Sequence, residues 1–396
     1  WSSDVCSSDL YYTPAVLLLG FIVWIFSKDL ELAITILVLG CPGALVIGVP
    51  VSNVAGIGNG ARNGVLLKGS EVIHDFSKVD TIVFDKTGTL TVGNPEVAEK
   101  AFYGEDIEDA LVYLASVERE SDHPLAKAVL QDIGEISFAT VEATEVVKGE
   151  GIVAKVNGHE VVVGNSALMK RKNIDLQEQA LTDVKKFEGN GNSIVLTAVD
   201  GELKILMGIR DQIRPGVKQD LQKLKKLGVQ NLIVLSGDNQ GTVDLVAKEL
   251  GLTEAHGHML PEGKSAFIEK LQAEGQIVAF VGDGVNDSPS LALAHIGIAM
   301  GSGTDVAIET SDVVLMNSDF SRLPHALGLT KSTSSNMVQN IVIAIGVVLV
   351  LLASLLFSEW MNMSIGMLVH ELSILVVILN GMRLLKYRLK GKNDSL

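Results

Sequence analysis

The chain is short of several things, and each shortage removes a class of protein. Among 396 residues only Cys6 and Cys41 are cysteines, which excludes a disulfide framework and a ribbon of paired Cys-x-x-Cys metal motifs. Positive charge is scarce as well. With 32 Lys and Arg against 47 Asp and Glu the net charge is -15, so nucleic acid is excluded as the partner of the body of the protein. Charged residues make up 20% and hydrophobic ones 47%, a balance too apolar for disorder or for a plain soluble enzyme. The start of the chain, WSSDVCSSDL, lacks the basic opening and apolar middle of a signal peptide. Residues 1–10 read instead as a non-native leader. With so few thiols, any chemistry must be carried by carboxylates.

What the chain has is long uncharged runs, Leu10 to Ser27, Leu32 to Ala61 and Ser332 to Ser358, and a fourth apolar stretch, Met361 to Met382, interrupted by His370 and Glu371. A helix needs about 20 apolar residues to cross a bilayer core, so four spans in two pairs are expected, with a lipid bilayer as partner. Arg383, Lys386, Arg388, Lys390 and Lys392 follow the last run, whereas the short turns between paired runs hold only Lys28. That bias puts the tail and the large middle region on the cytoplasmic side of a cell membrane.

Within the middle region Thr81 to Phe84, Leu232 to Leu235 and Ile277 to Val281 are short β-branched runs, each leading into an Asp or a Ser/Gly-Asp turn. They alternate with helical stretches at Pro215 to Leu227, Thr242 to Leu250 and Gly263 to Glu274, the pattern of a parallel sheet with functional groups at the strand C-terminal ends. Between Gly93 and Met207 the pattern changes to Val-rich alternation with Gly turns, read as an α+β domain inserted after the first strand. The expected layout is a leader (1–10), two transmembrane helices (11–57), a phosphorylation domain (58–92 and 208–322), an insert (93–207), two more transmembrane helices (323–382) and a basic tail (383–396).

Asp85-Lys86-Thr87-Gly88-Thr89 places a carboxylate at the tip of a buried strand beside a cation and hydroxyls. Such a carboxylate can attack phosphorus and form an acyl phosphate, dividing one hard hydrolysis into two easier steps. Ser236-Gly237-Asp238-Asn239 offers a hydroxyl and backbone N–H groups for phosphate oxygens. Gly282-Asp283-Gly284-Val285-Asn286-Asp287 offers two carboxylates, and Lys264 a neutralising cation. Phosphoryl transfer between anions calls for Mg²⁺ held by a few carboxylate oxygens. Each motif alone is compatible with a solvated Asp-Gly turn; their order along one chain is what makes them specific.

Asp85 to Thr91 together with Gly282 to Asp287 resembles the P-type ATPases of the haloacid dehalogenase superfamily, over Tyr11 to Tyr387. The resemblance implies a multi-domain membrane protein: α-helical transmembrane segments, a cytoplasmic α/β Rossmannoid phosphorylation domain and an inserted nucleotide-binding domain. It further implies that Asp85 is phosphorylated by ATP. Asp283 and the Thr87 carbonyl would hold Mg²⁺ with Asp85, Ser236 and Lys264 would bind the phosphoryl group, and Asn286 and Asp287 would support that site. Asp211 to Pro215, including Arg214, resembles a hinge and nucleotide-contacting segment. Glu118, Ser121-Asp122-His123-Pro124, Gly149-Glu150-Gly151 and Val163-Gly164-Asn165 resemble the nucleotide pocket of the heavy-metal branch.

In the second run, Cys41-Pro42-Gly43 joins a soft thiolate to a proline that frees helix carbonyls. His370-Glu371 in the fourth run is costly in lipid and needs a polar partner. Cys41, His370 and Glu371 together suit a borderline divalent cation such as Zn²⁺, Co²⁺ or Cd²⁺ better than Cu⁺, which favours more sulfur. The heavy-metal branch has Cys-Pro-Cys, Ser-Pro-Cys or Cys-Pro-His at the first place, and its cobalt/zinc type has His-Glu-Gly-Gly at the second. Here Gly43 and Leu372-Ser373 depart from both. The resemblance thus implies an ATP-driven heavy-metal translocase; a membrane-tethered phosphatase without transport, or a binding module, is the alternative. The tripeptide Thr-Gly-Glu of an actuator loop occurs nowhere in the chain, so the expectation is a C-terminal piece that forms a slow, long-lived phosphoprotein at most.

Overall fold

The computed structural model describes residues 2–389 apart from 41–42, 122–123, 148, 239, 285–286, 302 and 358–360. Two sheets organise everything outside the apolar helices. The first is a seven-stranded sheet in the order β1-β13-β12-β11-β2-β9-β10. Its centre is β2 (Thr81–Asp85), flanked in parallel by β11 (Val278–Gly282) and β9 (Asn231–Leu235). All residues of β2 and β11 are buried, as expected of strands covered by helices on both faces. β12 (Ile296–Met300) and β13 (Val313–Leu315) extend one side and β10 (Glu254–His256) the other. The sheet closes on β1 (Val65–Leu67), which pairs antiparallel with β13.

The second sheet has six antiparallel strands in the order β3-β8-β7-β6-β5-β4. β3 (Thr91–Phe102) leaves the first sheet directly after the Asp85 turn, and β8 (Glu202–Ile213) returns to it. Between them run β4 (Val141–Val147), β5 (Gly151–Val156), β6 (His159–Gly164) and β7 (Ser193–Val199). Two chain crossings therefore join the sheets, and both are pinned. Asp211 accepts hydrogen bonds from Thr91 Oγ1 at 2.5 Å and from the N–H groups of Gly93 and Asn94 at 3.0 and 3.2 Å. Arg214 donates to the carbonyls of Gly88, Thr89 and Ser318 at 2.7, 3.1 and 3.2 Å.

Three helical stretches are long and apolar enough to cross a membrane: Leu30–Arg62, Arg322–Phe357 and Met363–Lys386. The first of the four expected runs lies within the helix Ser2–Ser27, which ends where Lys28 takes a left-handed φ of 57° and Asp29 caps a new helix through Leu32 N–H at 3.0 Å. Outward side chains such as Leu349, Val350 and Leu379 are more than 60% exposed, which suits lipid as the solvent. Inside, the helices Gly43–Arg62, Arg322–Phe357 and Met363–Met382 meet along small and polar residues, the usual packing where lipid removes the hydrophobic drive. A Cβ on Gly48 would touch Val377 and Asn340, and one on Gly56 would touch Thr333. Ser52 Oγ donates to Asn336 Oδ1 at 2.8 Å. Asn340 Nδ2 donates to Ser52 Oγ at 3.0 Å, while its Oδ1 accepts from Asn380 Nδ2 at 2.8 Å.

Asn340 thus ties all three helices, and Asn340→Ala strands polar atoms on two of them. Its expected cost is about 1 kcal/mol, seen as a lower unfolding temperature of the purified chain in detergent. Val342→Ala, on the outward face, should leave that temperature unchanged.

Candidate active site

The site forms because three adjacent parallel strands end at one level. Asp85 of β2 is in register with Leu235 of β9, and Phe84 with Val281 of β11. Ser236, one residue beyond Leu235, and Asp283, two beyond Val281, therefore flank Asp85. Buried β-branched runs stop here because their last residues need polar partners. Asp85 is 8% exposed, Ser236 3% and Asp287 3%. Carboxylate oxygens of Asp85, Asp283 and Asp287 lie within 4.8 Å of one another. Lys264, in the first turn of the helix Pro261–Ala273, reaches Asp85 Oδ1 at 2.5 Å and Asp287 Oδ1 at 2.8 Å.

Three carboxylates this close cannot all ionise freely. Burial first, and the charge of Asp287 second, push Asp85 up to about 7 against the pull of Lys264. Asp283 is raised by burial and then by Asp287, with Arg214 opposing. For Lys264, burial alone would lower the pKa, but the attraction of Asp85 and Asp287 outweighs it and the net direction is up. A hard divalent cation fits this donor set, since it would relieve the repulsion that raises both Asp85 and Asp283. Gly88 serves the same geometry. With φ +75° it faces Asp283, and any Cβ would overlap that carboxylate.

Lys86, also buried, forms an ion pair with Asp238. The Asp238 N–H donates to Ser236 Oγ at 3.2 Å, and Gly237 lies between them in the same loop. The remaining expected residues gather elsewhere. Glu118, Gly149, Gly151 and Asn165 line one cavity of about 740 Å³ within the six-stranded sheet region, a size suited to a nucleotide-sized ligand. Asn165 braces this cavity, its Nδ2 donating to Gly149 O at 3.1 Å while its Oδ1 caps the helix Ser166–Arg171. Gly151, with φ +147°, pairs with Gly164 across β5 and β6, and a Cβ on it would strike the Val163 carbonyl and Gly164. The glycine is therefore required by the hairpin itself, whatever a ligand demands. A second cavity of about 560 Å³ is lined by Lys86, Thr87, Asp211 and Asp238 and shares Leu125 and Ser193 with the first. The two cavities are therefore neighbours, one lined by Glu118 and the other reaching the loop after Asp85.

Arg214 lines neither cavity; its guanidinium is spent on loop carbonyls. Glu371 is exposed whereas His370 is half-buried, because neighbouring helix positions point about 100° apart. His370 Nε2 lies 3.2 Å from where a Cβ on Gly43 would be, and its Nδ1 is buried with no hydrogen-bond partner among the described residues. Cys41, His123 and Asn286 lie outside the described residues. The sequence reading missed Val146, Ile194 and Ser193 as cavity walls. Val146 at 72% exposure carried the one available signal, an apolar residue on the open face of an alternating strand.

A buried carboxylate at the tip of a parallel sheet, with a lysine and two more carboxylates beside it, is the donor set of an aspartate-nucleophile phosphohydrolase, here in a chain that also carries long apolar helices. The comparisons with known proteins agree. A haloacid dehalogenase-like hydrolase profile matches residues 79–295. A copper-exporting P-type ATPase of Staphylococcus aureus (strain MRSA252) is 37% identical over 99% of this chain and 50% of its own length. One from Legionella pneumophila is 39% identical over 84% and 47%. The crystal structure of a zinc-transporting PIB-type ATPase in the E2.Pi state superposes with a TM-score of 0.80 at 33% identity, covering 94% of this chain and 62% of that one. The catalytic domain of the CPx-ATPase CopB-B is 33% identical, with a TM-score of 0.55, and is covered to 97% by 68% of this chain. The chain belongs to the haloacid dehalogenase-like hydrolases and, within them, to the heavy-metal P-type ATPases. It is a multi-pass membrane protein and spans about half the length of the curated relatives it matches.

Glu118 provides a test of the cavity's electrostatics. Burial pushes it from 4.5 to about 7, so between those values the folded chain holds a proton that the unfolded chain has released. Stability from this group is present below about pH 4.5 and is lost as pH rises through 7. Glu118→Gln should match the unsubstituted chain at pH 5 and unfold several degrees higher at pH 8, measured by thermal scans across that range.

Proposed function

We propose that this chain works in ATP-driven transport of a heavy-metal cation through an aspartyl phosphate at Asp85. The observation that carries the reading is the buried Asp85, Asp283, Asp287 and Lys264 cluster, with two neighbouring cavities leading from the loop after Asp85 towards Glu118. A nucleotide base seated beside Glu118, Gly149 and Asn165 directs its phosphates along those cavities toward Asp85. An oxygen of the Asp85 carboxylate then bonds to the γ-phosphorus while the bond to the β,γ-bridging oxygen breaks and ADP leaves. Lys264 keeps Asp85 oriented by its ion pair and afterwards faces the phosphoryl oxygens with Ser236. Asp85 and Asp283, with the Thr87 carbonyl, would hold Mg²⁺, which when bound supplies positive charge to the transferred phosphoryl group. Asp287, sharing Lys264 with Asp85, holds that lysine in place. Water completes the cycle by displacing phosphate from the acyl phosphate.

For the cargo, Cys41 and His370 are the proposed ligand pair. The support is the approach of His370 to Gly43, where the heavy-metal branch places a second ligand; the glycine leaves the room that the imidazole fills. Glu371, on the exposed face, is assigned to the approach of the ion rather than to its coordination. One thiolate with an imidazole favours a divalent ion of the Zn²⁺, Co²⁺ or Cd²⁺ type. Copper is the second reading, favoured by the copper-exporting relatives at 37% and 39% identity.

Asp85→Asn keeps the side-chain shape and loses the nucleophile, so the chain should still bind ATP but take up no acid-stable label from γ-³²P-ATP. Label retained by that variant would refute the assignment, and labelling by small phosphoesters but not ATP would favour a tethered phosphatase. His370→Ala should abolish Zn²⁺ binding by the detergent-solubilised chain, whereas Glu371→Gln should weaken it only slightly; if Cu⁺ alone binds, and His370→Ala does not weaken it, the divalent reading fails.

A further inference from the structure

The cations around the cleft are almost all committed. Lys86 is paired with Asp238, Lys264 with Asp85 and Asp287, and Arg214 with three loop carbonyls. Arg210 is different. It is an exposed residue of β8, next to the pinned Asp211, and it lines the 560 Å³ cleft. Its register partner on β3 is Glu96, but the Glu96 carboxylate accepts a hydrogen bond from Gln212. Among the described residues no carboxylate lies within ion-pair distance of the Arg210 guanidinium and no side-chain hydrogen bond ties it down. Glu249, on the helix Gln240–Leu250, lines the opposite wall.

We propose that Arg210 is the side chain that receives the non-transferred phosphates of the nucleotide, binding them as a guanidinium fork. The inference rests on the reading that ATP occupies the two cavities. Given that reading, its placement follows from the path. The cavities are neighbours that share Leu125 and Ser193, and the second is the one lined by Lys86 and Thr87 of the Asp85 loop, so a molecule with its base in the first and its terminal phosphate at Asp85 would pass its polyphosphate by the second. That stretch is otherwise acidic, with Asp211, Asp238 and Glu249 on its walls. Asp211 is satisfied by a hydroxyl and two N–H groups and Asp238 by Lys86, which leaves Glu249 as the acid a polyphosphate would meet unshielded. A free guanidinium offers two parallel N–H donors to phosphate oxygens, stronger and more directional than an ammonium. Arg210 acts on binding and alignment of the substrate, while Lys264 and Lys86 stay with the reacting end.

The test is calorimetric titration of the full chain in detergent with ATP, ADP, AMP and adenosine. Arg210→Gln should weaken ATP and ADP about tenfold and adenosine hardly at all, with Arg210→Lys recovering part of the loss. Glu249→Gln should move ATP affinity the opposite way, because it removes a repelling charge. Equal weakening of adenosine and ATP by Arg210→Gln, or no change in either, overturns the proposal. So does a loss of ATP affinity in Glu249→Gln, since the two residues would then be closing the cleft on each other. ATP binding that is untouched by Arg210→Gln refutes this assignment alone. Failure of the unsubstituted chain to bind ATP removes the reading beneath it as well.

Discussion

Everything at the catalytic end depends on one buried ammonium. Lys264 sits between Asp85 and Asp287 with Asp283 close by, and without its charge three carboxylates would crowd a space that water barely reaches. Removing one partner of such a buried arrangement is costly, because it leaves a desolvated charge unpaired. The arrangement is nevertheless not neutral. Burial first, and the charge of Asp287 second, push Asp85 and Asp283 upward, and one ammonium does not balance three carboxylates. That residual deficit of positive charge is what makes the cluster receptive to a divalent cation and an incoming phosphoryl group.

The sheets carry this constraint outward. β2, β9 and β11 must end level for the cluster to exist, and the chain must leave for the second sheet immediately after Asp85 and return through Asp211. Asp211 and Arg214 hold both crossings by hydrogen bonds to backbone. The cavity beside Glu118 is thereby placed at a defined distance from Asp85, although no strand is shared between the sheets. Mechanical continuity also runs the other way. The helix Arg322–Phe357 begins beside the first sheet, with Arg322 bound to Asp319 and to the Gly64 carbonyl, and continues to Asn336 and Asn340. One helix thus physically links the catalytic sheet to the polar seam among the apolar helices.

Much of the catalytic architecture was legible in the chain because its signals are local. Asp85 after a β-branched run, the Ser236 and Asp283 turns, and the helical stretches between them specify a parallel sheet with its chemistry at one edge. Glu118, Gly149, Gly151 and Asn165 were grouped by resemblance to one pocket, and all four line one cavity. Arg214 was grouped with the nucleotide contacts, since a charge beside Asp211 looks alike whether it faces a ligand or a carbonyl. Glu371 was joined to His370 for a similar reason: adjacency in sequence hides the turn of the helix that separates their side chains.

What the amino-acid order determined by itself was the alternation of strands and helices, the apolar runs and the carboxylate at the tip of the first buried strand, because each follows from residue type and short-range periodicity. Tertiary structure alone decided which groups neutralise one another. That Lys264 reaches both Asp85 and Asp287, that Gly43 makes room for His370, and that Arg210 stays unpaired above the cleft depend on distances between segments far apart in the chain. Such distances are set by strand register and helix packing, and no local pattern encodes them.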